Sequence, residues 1–172
     1  SALGIAGNSS ATYFIVFRDT QIGTGGANDG AGHYILDRTT PTNELYSFKH
    51  LSGNVYYYQK RDNGGGGLGG PTSTTTITTG TSKWVEMVRN RGVNYRFYFN
   101  GVQEGSVADG DGDTTPPQPR IGRHTNTTNG GLRGFIYEFI IYSATLNEAQ
   151  RILLNNNISA QYGYSLGTND LY

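Results

Sequence analysis

The chain contains no cysteine, one methionine and one tryptophan, and only 15% of its 172 residues are charged. Lack of cysteine excludes disulfides, thiolate metal sites and cysteine nucleophiles together. Thirteen basic residues balance thirteen acidic ones and form no run, so the electrostatic footprint of a nucleic-acid binder is missing. No apolar run reaches membrane-spanning length, and membrane insertion is not expected. No signal-peptide pattern opens the chain, which enters a strand by about residue 12 in SALGIAGNSSATYFIVF; we expect a segment of a longer protein.

What is abundant points one way. Glycine (26) and tyrosine (13) suit many strands joined by many turns, so an all-β class is expected. The length fits one domain over residues 1–172, enough to bury roughly two-thirds of the unfolded surface.

The hairpin KWVEMVRNRGVNYRFYFNGVQEGSV organises the rest. Tyr95, Phe97 and Phe99 alternate with Arg96 and Tyr98, the period of a strand with one buried face. Asn100-Gly101 tolerates φ > 0 at both centres of a type I′ turn, which returns Val102 to Val107 antiparallel to Asn94 to Phe99. Upstream, Trp84, Glu86 and Val88 oppose Val85, Met87 and Arg89 on a third strand, before a turn at Asn90-Arg-Gly. Downstream, Gly134 to Tyr142 sets Phe135, Tyr137, Phe139 and Ile141 against Ile136, Glu138, Ile140 and Tyr142. A helix follows: Asn147 and Gln150 form a reciprocal cap, Ala149, Ile152 and Leu153 are expected to pack on the sheet, the run Asn155 to Asn157 weakens the helix, and Gly163 ends it.

In order, Trp84 with its basic strand, FYFNGVQEGS, PRIGRH and GLRGFIYEFIIYSATLNEAQR resemble the laminin G-like or pentraxin-like branch of the concanavalin A-like lectin/glucanase superfamily. The ending SAQYGYSLGTNDLY is similar to versions found in large secreted bacterial surface proteins. The resemblance spans Lys83 to Tyr164 well and is looser before it. It implies an antiparallel jelly-roll β-sandwich with one short C-terminal helix, in an extracellular or cell-surface setting.

Towards the N-terminus, Thr12 to Arg18 is apolar on both faces, as for a central strand. GTGGANDGAG has a phosphate-loop look, but no Lys-Ser/Thr follows and GHYILDR reads as a strand, so it is read as a turn. Strands are expected over His33 to Leu36, Glu44 to Lys49, Val55 to Lys60 and Arg120 to His124, with RDNGGGGLGG as a long rim loop. PTSTTTITTGTS reads as an edge or solvated strand; a threonine array for ice or a crystal surface would need more area than one short row provides.

Three carboxylates, Asp109, Asp111 and Asp113, repel one another unless water or a hard cation separates them, and calcium is the natural cation. The EF-hand pattern fails, with Thr114 at the sixth position and Arg120 at the twelfth, so a solvated acidic loop stands beside the metal reading. Calcium at a rim loop is also what the resemblance implies for some relatives.

Retaining glycoside hydrolysis needs two carboxylates roughly 5 Å apart, which alternate positions of one strand provide. Glu86 and Glu138 each lack such a partner, and a carboxylate on a largely apolar face, as at Glu138, needs a hydrogen-bond donor from a neighbouring Arg, His or Tyr. His33, His50 and His124 lie outside any G-x-S-x-G context. A non-catalytic binding or adhesion module is therefore expected, contacting a glycan or cell-surface ligand at the sandwich rim through Tyr57, Asp62, Asn63, His124, Asn126 and Asn129. The alternative is a spacer or protein-interaction domain contacting neighbouring domains of a larger protein.

Overall fold

Strand β1 (Ala11–Asp19, ATYFIVFRD) is β-branched or aromatic over most of its length and buried on both faces. In the computed structural model, which describes residues 9–20, 36–37, 47–51, 55–61, 67–68, 70–75, 78–109, 120–121 and 132–165, it pairs antiparallel with two strands at once. On one side lies β6 (Ser82–Asn90), with Ile15 opposite Val85. On the other lies β10 (Gly134–Tyr142), with Ile15 opposite Phe139. β7 (Asn94–Phe99) and β8 (Val102–Ala108) extend the sheet beyond β6, giving the order β10-β1-β6-β7-β8. A second antiparallel sheet has the order β5-β4-β3-β2-β9, built from β2 (Leu36–Asp37), β3 (Ser47–Leu51), β4 (Val55–Arg61), β5 (Gly67–Leu68) and β9 (Arg120–Ile121). The all-β class expected from the sequence is the one observed.

The hairpin behaves as its residues require. Asn100 and Gly101 have φ of 47° and 83°, the double left-handed conformation of a type I′ turn, and Phe99 pairs with Val102 across it. Gly92, at φ 74°, closes the β6–β7 turn.

Each face of the first sheet has its own core. Tyr13, Ile15, Phe17, Val85, Met87, Tyr95 and Phe97 form one. Phe14, Val16 and Trp84 form the other, covered by Leu146 and Ile158. Burying each such large apolar side chain stabilises the fold by roughly 1.5–3 kcal/mol.

The cover on the second face is α1 (Glu148–Tyr162). Asn147 Oδ1 accepts from the Gln150 N–H at 2.9 Å and Gln150 Oε1 accepts from the Asn147 N–H at 3.0 Å, the expected reciprocal cap. Gly163, at φ 68°, ends the helix, its N–H reaching Ser159 O at 2.8 Å. The face it buries is not the expected one. Arg151, Asn155 and Ile158 turn inward, whereas Ala149 is exposed, Ile152 half-buried and Leu153 exposed. Polar partners set this phase: Arg151 Nε donates to the buried Glu86 at 2.7 Å, and Trp84 Nε1 donates to Asn155 Oδ1 at 2.9 Å. Asn155, read as a helix weakener, is thus one of its anchors.

The threonine-rich segment is not a regular strand where it is described. Residues 70–75 lie along the open edge of β8 with one isolated bridge at Thr72. A bulge places Gly105 opposite Phe97 and Gln103 opposite Tyr98, leaving Glu104 unpaired between them. Its carboxylate accepts from Thr74 N–H at 2.9 Å, Thr75 N–H at 3.1 Å and the Thr75 hydroxyl. Gly105 packs so closely that a Cβ there would lie 2.7 Å from Pro71 Cβ. The sheet edge is blunted by a docked segment, as sheet edges require.

Candidate functional site

A second bulge, in β10, makes the most exposed aromatic feature among the described residues. Ile136 pairs with Phe17 and Glu138 with Val16, so Tyr137 is the extra residue. The strict alternation expected for Gly134 to Tyr142 breaks there. Ile136, Phe139 and Ile141 pack on the first core, while Phe135 and Tyr137 stay 52% and 44% exposed. The physical reason is the inserted residue: beyond a bulge the facing parity inverts, so Phe135 and Phe139 no longer share a face.

Where α1 ends, its last residues join this exposed pair in one row. Phe135 and Tyr137 have ring centroids 6.4 Å apart with planes 16° from parallel. Tyr137 meets Tyr162 at 6.2 Å, Tyr162 meets Tyr164 at 5.8 Å, and Tyr164 stacks on Trp84 at 5.4 Å. Trp84 is fully buried, so the row runs from solvent to the second core. Gly134 sets the foot of the row; a Cβ at this position would sit 2.0 Å from Arg18 O, so only glycine permits the approach of β10 to β1.

Polar groups flank the rings. At the outer end, the Arg18 guanidinium lies 5.1 Å from the Phe135 ring centroid. Beside the middle, partial burial and then the nearby Glu138 carboxylate raise the Tyr162 phenol above its ordinary value. The tyrosine beside Glu138 comes from the helix end and not from a neighbouring strand. Arg18 Nε and Glu138 Oε2 are buried and have no hydrogen-bond partner among the described residues. Such an arrangement offers flat apolar faces beside a half-buried cation and a half-buried carboxylate.

The site residues expected from the sequence lie mostly elsewhere. Tyr57 sits in β4, opposite Lys49 of β3, and its side chain is outside the described residues. Asp62, Asn63, Asp111, Asp113, His124, Asn126 and Asn129 also lie outside them. Asp109 is described, and it is buried: Oδ2 accepts from Arg89 Nε and from the Gly92 N–H, each at 3.0 Å. Burial alone would raise its pKa. The Arg89 and Gly92 hydrogen bonds, the Arg89 charge and the Tyr95 hydroxyl outweigh this and hold the carboxyl below the usual range. Asp109 is thus already matched by a cation of the chain itself. Among the described residues, no cluster of three or more His, Asp or Glu side chains is placed to hold a metal.

Glu86 is fully buried beneath α1 against Arg151. Burial pushes its carboxyl above the usual range, against the opposing pull of Arg151. With no path to solvent, it cannot serve with Glu138 as a carboxylate pair flanking a glycosidic bond. No described helix is long and apolar enough to cross a membrane.

The sequence held a signal for the row that periodicity hid. Phe135-x-Tyr137 and Tyr162-x-Tyr164 are two aromatic doublets flanking the last strand and the helix end. Strand alternation put the first on one face with Phe139 and Ile141, and the second fell in the tail.

No protein-family model and no curated protein sequence matches the chain. Solved structures do resemble it. The CBM40 domain of a Ruminococcus gnavus IT-sialidase, bound to alpha2,3 sialyllactose, superposes with a TM-score of 0.69 at 12% identity, covering 90% of this chain and 85% of that one. The botulinum neurotoxin serotype G binding domain gives 0.71 at 12%, covering 93% of this chain but 39% of that one. Domain 4 of a GH43 extracellular arabinanase from Geobacillus stearothermophilus, in complex with arabinotriose, gives 0.64 at 18%, covering 86% and 68%. This chain therefore spans about two fifths of the toxin binding domain and most of the sialidase module. What these likenesses establish is the fold, a jelly-roll β-sandwich.

Proposed function

We propose that the chain is a non-catalytic glycan-binding module of an extracellular or cell-surface protein, and that the row Phe135, Tyr137, Tyr162 and Tyr164 is its binding face. The observation that carries this reading is the pair of outward rings on the β10 bulge, with Glu138 and Arg18 beside them. Sugar rings present an apolar face to aromatic side chains and hydroxyls to carboxylates, and the row offers both. Two fold neighbours whose structures hold a saccharide, sialyllactose in one and arabinotriose in the other, support the same reading. The rim residues Tyr57, Asp62, Asn63, His124, Asn126 and Asn129 form a second proposed contact region, and calcium a proposed accessory at Asp111 and Asp113.

Trp84 is the sole tryptophan and stacks on Tyr164, so its fluorescence reports on the inner end of the row. Titration of glycans found on an array should shift that fluorescence. Tyr137→Ala should weaken binding about tenfold or more with little loss of stability, because that ring is largely exposed. Binding untouched by both Tyr137→Ala and Phe135→Ala would move the site to the rim. One observation favours the spacer or protein-interaction alternative: Leu153, on the outer side of α1, is 65% exposed. Absence of any glycan binding would leave that alternative standing.

A further inference from the structure

Arg18 differs from Arg89 on β6 and Arg151 on α1, which both have carboxylate partners. Arg89 is matched by Asp109 at 3.0 Å and Arg151 by Glu86 at 2.7 Å, each inside a core. Among the described residues, Arg18 has no carboxylate partner. Its nearest acidic neighbour in sequence, Asp19, points to the opposite face of β1, where it meets Lys83 at 3.5 Å. Arg18 makes no hydrogen bond through Nε, and its guanidinium is held by packing alone, over Phe135. A guanidinium is a rigid fork that fits carboxylates and sulfates in bidentate fashion, and packing on an aromatic ring fixes that fork before a ligand arrives. Arg18 as a whole is half-buried, and the Phe135 ring beside its guanidinium is exposed.

We infer that Arg18 seats the acidic group of an anionic saccharide at the outer end of the row, making the module's ligand a carboxylate- or sulfate-bearing glycan. This rests on the glycan-binding reading above and adds the charge and direction of the ligand. Glu138 does not oppose it. Register places Glu138 against Val16 and Phe135 against Arg18, two residues apart on β1, or about 7 Å. Glu138 Oε2 is buried, so this carboxylate oxygen does not face the acid group held at Arg18. The ligand is thereby oriented, with its acid group at the outer end of the row and the remainder lying along Tyr137 toward the helix end.

The test is a glycan array carrying neutral, uronate-containing and sulfated glycans of matched length, followed by titration of the best binders. Proteins compared are wild type, Arg18→Met, Arg18→Lys and Tyr137→Ala, each checked for an unchanged melting temperature. Wild type should bind acidic glycans at least tenfold more tightly than neutral ones, with a preference weakening as salt rises. Arg18→Met should lose about ten- to a hundredfold on acidic glycans and little on neutral ones, and Arg18→Lys should recover part of the loss. Uronates bound over sulfates, or the reverse, identifies the acid group and supports the inference either way. Equal binding of neutral and acidic glycans, or an acidic preference that Arg18→Met leaves intact, overturns the inference while glycan binding stands. Failure of every glycan to bind overturns both. If Arg18→Met does not fold, Arg18→Lys carries the decision: it keeps the charge but loses the bidentate fork, so an unchanged acidic preference counts against the inference.

Discussion

Replacing Asp109 by Asn tests whether this carboxylate belongs to the fold or to a metal loop. The side chain joins three parts of the sheet: it accepts from Arg89 on β6 and from the Gly92 N–H in the β6–β7 turn, while its own N–H bonds Val93 O at 3.1 Å at the end of β8. Arg89 is fully buried and lies 5.5 Å from the Tyr95 ring centroid. Asn keeps the shape and one acceptor but leaves the guanidinium as an uncompensated buried charge. Removing one partner of such a pair costs about 3–5 kcal/mol. At about 2–4 °C per kcal/mol for a chain of this size, the melting temperature should fall by about 6–20 °C. The double variant Arg89→Met/Asp109→Asn should recover most of this, because an apolar replacement removes both charges. The folded pKa of Asp109 is depressed, so its contribution is complete above the unfolded value of about 3.9 and disappears as pH falls through the folded value. Urea unfolding of the three proteins at pH 7 and at pH 3 measures both effects, and the gap between wild type and Asp109→Asn should narrow at the lower pH. A calcium ligand would behave otherwise: its loss would abolish a calcium-dependent rise in melting temperature and leave the calcium-free value nearly unchanged. A loss below about 1 kcal/mol at pH 7 would refute the structural role.

Three further outcomes are expected. Gly134→Ala puts a methyl group against Arg18 O, and the backbone shift it forces should cost at least about 1–3 kcal/mol in a urea melt while weakening glycan binding through displaced Phe135. Glu104→Ala removes the acceptor for two backbone N–H groups and a hydroxyl, so hydrogen exchange at Thr74 and Thr75 should accelerate and the freed β8 edge should raise aggregation on light scattering. Asn155→Leu leaves the Trp84 indole N–H buried without its acceptor and should cost about 1–3 kcal/mol, read from unfolding followed by Trp84 fluorescence.

Local chemistry was readable wherever one residue type dictates one geometry. Asn100-Gly101 specified its turn, Asn147 with Gln150 specified the helix start, and Gly163 the helix end. The two-sided burial of β1 followed from its unbroken apolar run. Errors arose where a long-range partner overrules periodicity. Nothing near Leu153 in the sequence says that Arg151 must meet Glu86 and Asn155 must meet Trp84, 65 and 71 residues away, yet those bonds decide which face of α1 is buried. Asp109 likewise read as one of three loop carboxylates because its counter-ion, Arg89, lies 20 residues upstream on another strand. The candidate row was hidden for a third reason. A bulge adds a residue without a composition signature of its own, and parity arguments fail at every position beyond it.

The same device appears at both edges of the first sheet, and it does different work at each. On β8 the bulge frees Glu104 to hold residues 70–75 against the edge, so the polar residue is turned to sealing the sheet. On β10 the bulge leaves Tyr137 unpaired beside Phe135, and α1 ends at Tyr162, so the rings stay open to solvent. Were the β10 bulge only a means of blunting an edge, a charged or small residue there would serve better than two large exposed aromatics. Deleting Tyr137 would restore regular pairing between β1 and β10, with Ile136 still opposite Phe17 and Phe135 still opposite Arg18. The protein would lose the extra exposed ring while keeping its sheet, which separates the contribution of Tyr137 to binding from that of the fold beneath it.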